Sequence, residues 1–410
     1  MKKSLSLLIC LMLIASSALC GCGSNPEDEQ PTTEPQTEVT TAEPTTVAPT
    51  TAPVPATKDS AETAGYDYVA IKKNSGDIIS KFDKTIETNK FSGSIYMKLG
   101  NDFEYLSSTG DANTNKHLDN SINTRFYVGD ITKQFTAAAV LLLAEQNKLS
   151  LDDTIDKYFP DYEYGEKITV KQLLNMTAGI KTYVNHNEIA NPSNIINSDL
   201  SDLLKEDNSA EENREIILDW IFDQELCFEP GTRFNSSESN YYLLGEIIAQ
   251  ASGGSYSEYL ESAVFKPLGM GSSGFEPDEK MAVAYDNNPA TQNLNFAGVG
   301  YSAYGMISNV SDLLKWTDGL LNNQVLTSES FGQMFKNQLS GLKDNKKAYG
   351  YGVELNGKCA SALSRYDAFS SILSYDTDKS EIYIGLTNNS SSDNNLVRSS
   401  FKKILQKYAV

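Results

Sequence analysis

Apolar and polar positions alternate from Phe91 to Met97 and again over Phe103-Glu104-Tyr105-Leu106, on either side of the turn Gly100-Asn101-Asp102. That pattern predicts a β-hairpin. A helical segment near Ile78 to Ile86 precedes it. After Asp130 the pattern changes: Ile131, Phe135, Ala139, Leu142 and Ala144 recur with no Gly or Pro before Lys148. Apolar residues lie nearly all round this helix, so it is expected to be buried and central. From Leu151 to Leu326 the chain reads as amphipathic helices, including Val170 to Met176, Ile216 to Phe222 and Tyr241 to Ala251, joined by loops. It then returns to strands at Tyr349 to Leu355, Phe369 to Tyr375 and Glu381 to Thr387, and closes on a helix from Asn394 to Tyr408. Strands at both ends with helices between them predict an α/β (α+β) fold. Its antiparallel sheet is built from both ends of the domain, residues 61–150 and 327–410, with a mainly helical subdomain, residues 151–326, inserted.

The segment ahead of this domain is of another kind. Met1-Lys2-Lys3 and the apolar run Leu5 to Leu19 have the form of an export signal. The run falls short of the roughly 20 apolar residues that a membrane-spanning helix needs. Leu19-Cys20-Gly21-Cys22 resembles a bacterial lipobox, with Cys22 as the cysteine that takes the lipid, because the small Gly21 precedes it whereas Leu19 precedes Cys20. Residues 1–21 are therefore read as a lipoprotein signal peptide. Residues 22–60, rich in Thr, Pro, Glu and Ala, bury too little apolar surface to offset the entropy of ordering and read as a proline-stiffened tether. The expected location is extracytoplasmic, on a bacterial membrane through a lipid anchor.

Charge and composition narrow the chemistry. A formal net charge of −20, with no extended Lys/Arg cluster, argues against nucleic acid as a partner. The same acidity is expected to keep the domain soluble and away from anionic surfaces. Only Cys227 and Cys359 fall in the folded part, and they read as ordinary buried thiols rather than a disulfide scaffold. Gly352 to Lys358 has phosphate-loop spacing, but Cys359 follows where Ser or Thr is needed and strands flank it, so Asn356-Gly357 reads as a hairpin turn. Asp376-Thr377-Asp378 resembles a calcium loop only in its opening. The chain has no Gly-x-Ser-x-Gly elbow, paired-histidine zinc motif or Cys-x-x-Cys, and no cofactor or metal is expected.

A family resemblance enters through ordered blocks. Phe126 to Ala138, running on through Leu149-Ser150-Leu151-Asp152-Asp153-Thr154-Ile155 to Tyr158-Phe159-Pro160, resembles the first block of the class C β-lactamases and D-alanyl-D-alanine carboxypeptidases. Leu173 to Ile180, Phe228 to Phe234, Tyr241 to Ile248 and Lys266-Pro267-Leu268-Gly269-Met270 are similar to later blocks, in the same order. The resemblance implies the serine β-lactamase and penicillin-binding-protein fold. It also implies three catalytic elements: a Ser-x-x-Lys at the start of the central helix, a Tyr-x-Asn on a loop of the helical subdomain, and a Lys/His-x-Gly on an edge strand.

All three are altered. The first reads Asp130-Ile131-Thr132-Lys133, with aspartate in place of the serine. A carboxylate attacking an amide would form a mixed anhydride, uphill from the amide, whereas Asp is a good helix N-cap and is expected to cap the central helix. The second falls at Ser236-Ser237-Glu238 and the third at Ala362-Leu363-Ser364, with Lys358-Cys359-Ala360 as a register slip that still lacks the glycine. Met176 stands where the family has a histidine. The expectation is a pseudoenzyme with a binding or regulatory role, taking cell-wall peptide or an envelope protein by fold analogy. The competing expectation is an active serine-type hydrolase (a β-lactamase, carboxypeptidase or esterase) rebuilt around Lys133, Ser236 and Glu238.

The anchor gives the first testable outcome. Cys22→Ala should remove fatty-acid labelling and release the protein from the membrane fraction; labelling that persists in this variant would contradict the lipobox reading.

Overall fold

The computed structural model describes residues 75–100, 103–184, 197–205, 207–285, 296–343, 345–366, 368–378 and 381–408. The signal peptide, Cys22 and the tether lie outside the described residues. The expected sheet is present. It has six antiparallel strands: β1 (Gly93–Leu99), β2 (Phe103–Thr109), β3 (Glu354–Asn356), β4 (Cys359–Tyr366), β5 (Phe369–Asp376) and β6 (Glu381–Thr387), in the order β2-β1-β6-β5-β4-β3. The hairpin β1–β2 closes against the C-terminal strands by pairing β1 with β6, from Gly93↔Thr387 to Leu99↔Glu381. One sheet is thus completed by segments almost 300 residues apart in sequence, as the strand pattern at both ends predicts.

Two cores flank the sheet because successive strand residues face opposite sides. Ile95, Met97, Phe103, Tyr105, Ile372 and Tyr383 face a smaller core under two helices, α1 (Ser75–Thr88) and the terminal α7 (Asn394–Tyr408). There Phe82 stacks on Phe401 with ring centroids 3.7 Å apart, and Tyr105 meets both edge-on. On the other side Tyr96, Leu373, Tyr375, Ile384 and Leu386 join the larger core, which runs into the helical subdomain. The helices that shape the site there are α2 (Thr132–Glu145), α3 (Val170–Leu174), α4 (Ala210–Phe222), α5 (Glu238–Ser252) and α6 (Phe296–Tyr304), the last kinked at Tyr301. The predicted central helix is α2, buried without interruption from Thr132 to Leu141.

Two glycines bring the backbone close to the start of α2. Gly129, at φ 53°, enters the short 3-10 turn Gly129–Ile131 that precedes the helix; a Cβ there would lie 2.0 Å from Ser364 Oγ on β4. Gly352, at φ 74°, lets a tight turn pass over the helix, where a Cβ would lie 2.4 Å from the Lys133 carbonyl. That turn also corrects the expected strand Tyr349 to Leu355. Gly350 N–H donates to the Val353 carbonyl at 2.9 Å, so the chain folds back on itself and only Glu354–Asn356 extends. Asn356-Gly357 forms the hairpin into β4, pairing Asn356 with Cys359. A second correction concerns the cysteines: both are free, but Cys227 is exposed in a loop and Cys359 is half-buried on β4.

The aromatic stack between α1 and α7 should carry much of the smaller core. Phe401→Ala is expected to lower stability by about 3–5 kcal/mol, the usual range for a large aromatic cut back in a core, read as a fall in the urea midpoint at unchanged m-value.

Candidate functional site

The first altered motif sits where the 3-10 turn feeds into α2. No side chain caps α2 at its Ile131 N-cap. The Asp130 carboxylate is engaged with a neighbour in sequence: its Oδ1 accepts from Lys133 Nζ at 2.9 Å. One helical turn places the lysine against the aspartate, where a charge-assisted hydrogen bond forms.

The second motif arrives at the same point from α5. Glu238 is the first residue of that helix, and its Oε1 accepts from Lys133 Nζ at 3.0 Å. Thr182 Oγ1 donates to the other oxygen, Oε2, at 2.8 Å. Burial is close to complete: the Glu238 side chain is 0% exposed and that of Lys133 5%, while Asp130 retains 28%. Burial by itself would lower the Lys133 ammonium. The Asp130 and Glu238 carboxylates outweigh it and hold the group well above the ordinary lysine range.

Ser236 does not join this group. It is half-buried ahead of α5, and among the described residues its hydroxyl has no hydrogen-bond partner. A serine nucleophile needs an adjacent base, and Ser236 has none bonded to it among the described residues. Met176, in the histidine position, has a positive φ of 61° and turns its sulfur to Ser237 N–H at 3.5 Å and Asn240 Nδ2 at 3.3 Å. It positions the start of α5 and has no proton to transfer.

The third motif lies on β4, one strand in from the edge, where β3 pairs only with residues 359–361. Ala362 is buried and Ser364 packs against Gly129. Among the described residues the buried Ser364 Oγ has no hydrogen-bond partner. Gly129 on the facing turn leaves room for the Ser364 side chain. The alternative register fails, since Lys358 is exposed in the β3–β4 hairpin and paired with Asp378.

Two residues further along the same face of β4 stands a residue that the motif comparison misses. Tyr366 OH donates to Asp130 Oδ1 at 3.1 Å and approaches Glu238 Oε1 at 3.4 Å. Its ring stacks on Tyr304 of α6, centroids 4.2 Å apart and nearly parallel. Burial first, then the Asp130 and Glu238 carboxylates, push its hydroxyl far above the normal tyrosine range. The period-two rule applied to Ala362 and Ser364 would have found it, because residue 366 must share their face. Thr182 had no such signal, since a loop threonine is unremarkable until the fold brings it to Glu238.

The chemistry available here follows from these contacts. A general base must have a free lone pair near neutral pH. Lys133 is held as an ammonium between two carboxylates, and Tyr366 is held as a phenol, so neither supplies one. Beside the cluster runs a polar groove of about 370 Å³ whose lining includes Asp130, Ser364, Arg365, Tyr366, Ser370 and Asn394.

Comparison with known proteins bears on the family and the fold. The family model described as Beta-lactamase matches residues 94–400. PbpX of Bacillus subtilis, assigned by name to the penicillin-binding proteins, is 27% identical over 282 residues, covering 65% of this chain and 66% of its own length. Protein flp of Staphylococcus aureus is 28% identical over 258 residues, covering 59% of this chain and 48% of its own. The chain therefore spans about half to two thirds of these relatives. Among solved structures, a penicillin-binding protein from Bacillus halodurans superposes with a TM-score of 0.66 at 23% identity, covering 82% of this chain and all of the other, a likeness of fold. A match over residues 94–400, joined to a sheet completed from both ends around a buried central helix, makes this chain a member of the β-lactamase family.

Proposed function

We propose that this chain is a catalytically silent member of its family, a membrane-anchored extracytoplasmic domain that binds or regulates at the cell envelope. One observation carries the reading: the lysine of the first motif is bonded to an aspartate in the serine position and to a glutamate in the asparagine position, within 3.0 Å of both. Catalysis in the family's manner asks that lysine to accept a proton. Here its partners hold the proton on it.

The other routes to hydrolysis meet related obstacles. Attack by Asp130 on an amide leads uphill to an anhydride. Attack by water would have to draw on Asp130 or Glu238 as its base, and both carboxylates already accept from Lys133 Nζ. A substrate bearing its own carboxylate would meet two anions and one cation, an unfavourable balance where water is scarce. Cell-wall peptide or an envelope protein remains the proposed partner class, by analogy of fold. The lipobox and tether support placement outside the cell on the membrane.

The test is a reversion. Asp130→Ser restores the nucleophile next to Lys133 but leaves Glu238 on the lysine, Tyr366 in the site and no strand glycine. Groups that act as a unit give little when one is repaired, and displacement of about 1 Å can cost around 100-fold. No stable acyl adduct by mass spectrometry and no turnover of a β-lactam, a D-Ala-D-Ala peptide or a simple ester is expected. Turnover well above background by the single revertant, or by the unaltered chain, would overturn the proposal.

A further inference from the structure

The whole chain is acidic, with a formal net charge of −20, but its charge is unevenly placed. Helix α7 reads NNLVRSSFKKILQKY, with four cations and no anion. It contributes +4, so the rest of the chain carries −24 (−20 minus +4). Two of the four cations are engaged within the fold. Arg398 donates to Ser374 Oγ at 2.5 Å and lies over the Tyr383 ring, and Lys402 pairs with Glu381 at 2.6 Å.

Lys403 and Lys407 are different. Both are exposed, and among the described residues neither has an ion-pair partner. Four residues apart, they lie one above the other on a single face of the helix. Leu396, one heptad before Lys403, heads the same stripe and is 49% exposed, one of the few large apolar side chains so open among the described residues. Beside α7, held by the Phe82–Phe401 stack, α1 exposes Lys84 together with Glu87 and an Asp77–Lys81 pair, and exposed Lys90 follows it in the turn to β1, so the net positive charge of this layer comes from α7. Helix α1 is also the first described element after residues 1–74, so the part of the chain with the export signal and lipobox pattern leads into this layer.

We propose that the outer face of α7 and α1 docks on an anionic phospholipid surface through Lys403, Lys407, Lys84 and Lys90, with Leu396 entering the headgroup layer. The overall acidity predicts avoidance of such a surface, but range decides between the two effects. At physiological ionic strength charges beyond about 8 Å are largely screened, and the acidic helical subdomain lies across the sheet. The local cations govern the approach, and each is worth about fivefold in affinity at an anionic membrane. Docked this way, the domain turns the Asp130–Lys133–Glu238 side of the sheet away from the bilayer. The proposal does not require the lipid on Cys22, which would only raise the local concentration.

Lysine acylation footprinting by mass spectrometry on the full chain tests it. With phosphatidylglycerol vesicles, Lys403 and Lys407 should react at least about fivefold more slowly. Phosphatidylcholine vesicles should give no protection, and about 0.5 M salt should abolish it. Exposed Lys171 and Lys266 of the helical subdomain should react unchanged throughout. Lys403→Glu with Lys407→Glu should lower the vesicle affinity, read at Lys84, by roughly 30-fold or more. Absence of protection, equal protection on both lipids, or protection spread to Lys171 and Lys266 would overturn the proposal. So would equal protection by soluble inorganic polyphosphate, which would show a site for polyanions at large. Loss of membrane attachment on Cys22→Ala with the footprint intact would separate the anchor from this surface.

Discussion

The pairing of Lys133 with Asp130 and Glu238 is the constraint on which the rest of the site depends. An ammonium buried to 5% exposure is tolerable only with compensating charge, and each partner comes from a different part of the chain. Asp130 belongs to the turn that enters α2, whereas Glu238 opens α5 in the helical subdomain. Tyr366 reaches both carboxylates from β4. The cluster therefore ties the sheet, the central helix and the inserted subdomain at one point. The groove of about 370 Å³ opens beside that junction, with Asp130, Ser364 and Tyr366 in its lining.

Neighbouring features are consistent with that arrangement. Removing one partner from a buried pair leaves a charge without compensation, and here Lys133 draws its compensation from both Asp130 and Glu238. Thr182 donates to Glu238, Gly129 leaves room for Ser364, and Gly352 lets the turn beside Tyr349 pass over the Lys133 carbonyl. Met176 shows the same tendency: where the family has a titratable histidine, a thioether accepts two weak bonds and holds the start of α5. These are contacts of a packed interior.

Much of the fold is legible in the sequence, because the features that reveal it are local and periodic. The hairpin β1–β2, the buried helix α2 and the terminal helix α7 follow from spacing, and the pairing of β1 with β6 follows from strands at both ends. The site is legible only in part. Motif spacing identifies Asp130, Lys133, Glu238, Ala362 and Ser364, but not what they do. Asp130 reads as a cap because capping depends on neighbours in sequence, and spacing gives no sign of its bond to Tyr366, 236 residues away. Spacing also treats Ser236 and Glu238 alike, and the fold separates them: one stands half-buried without a partner among the described residues, and the other is sealed against a lysine. The strand expected over Tyr349 to Leu355 fails for a related reason, since composition there favours extension and the approach of the turn to α2 does not.

If the cluster is a structural element and not a dormant catalytic one, stability is where its loss must register. Active-site residues are commonly neutral or costly to stability, so replacing them often leaves a protein as stable as before or more so. A buried charge pair behaves in the opposite way, and removing one member typically costs about 3–5 kcal/mol. The deciding measurement is the urea-unfolding free energy of Lys133→Ala beside that of the unaltered protein at neutral pH. A loss of about 3–5 kcal/mol is predicted, because two carboxylates are left without their cation. Unchanged or increased stability would contradict the account and return Lys133 to the catalytic reading.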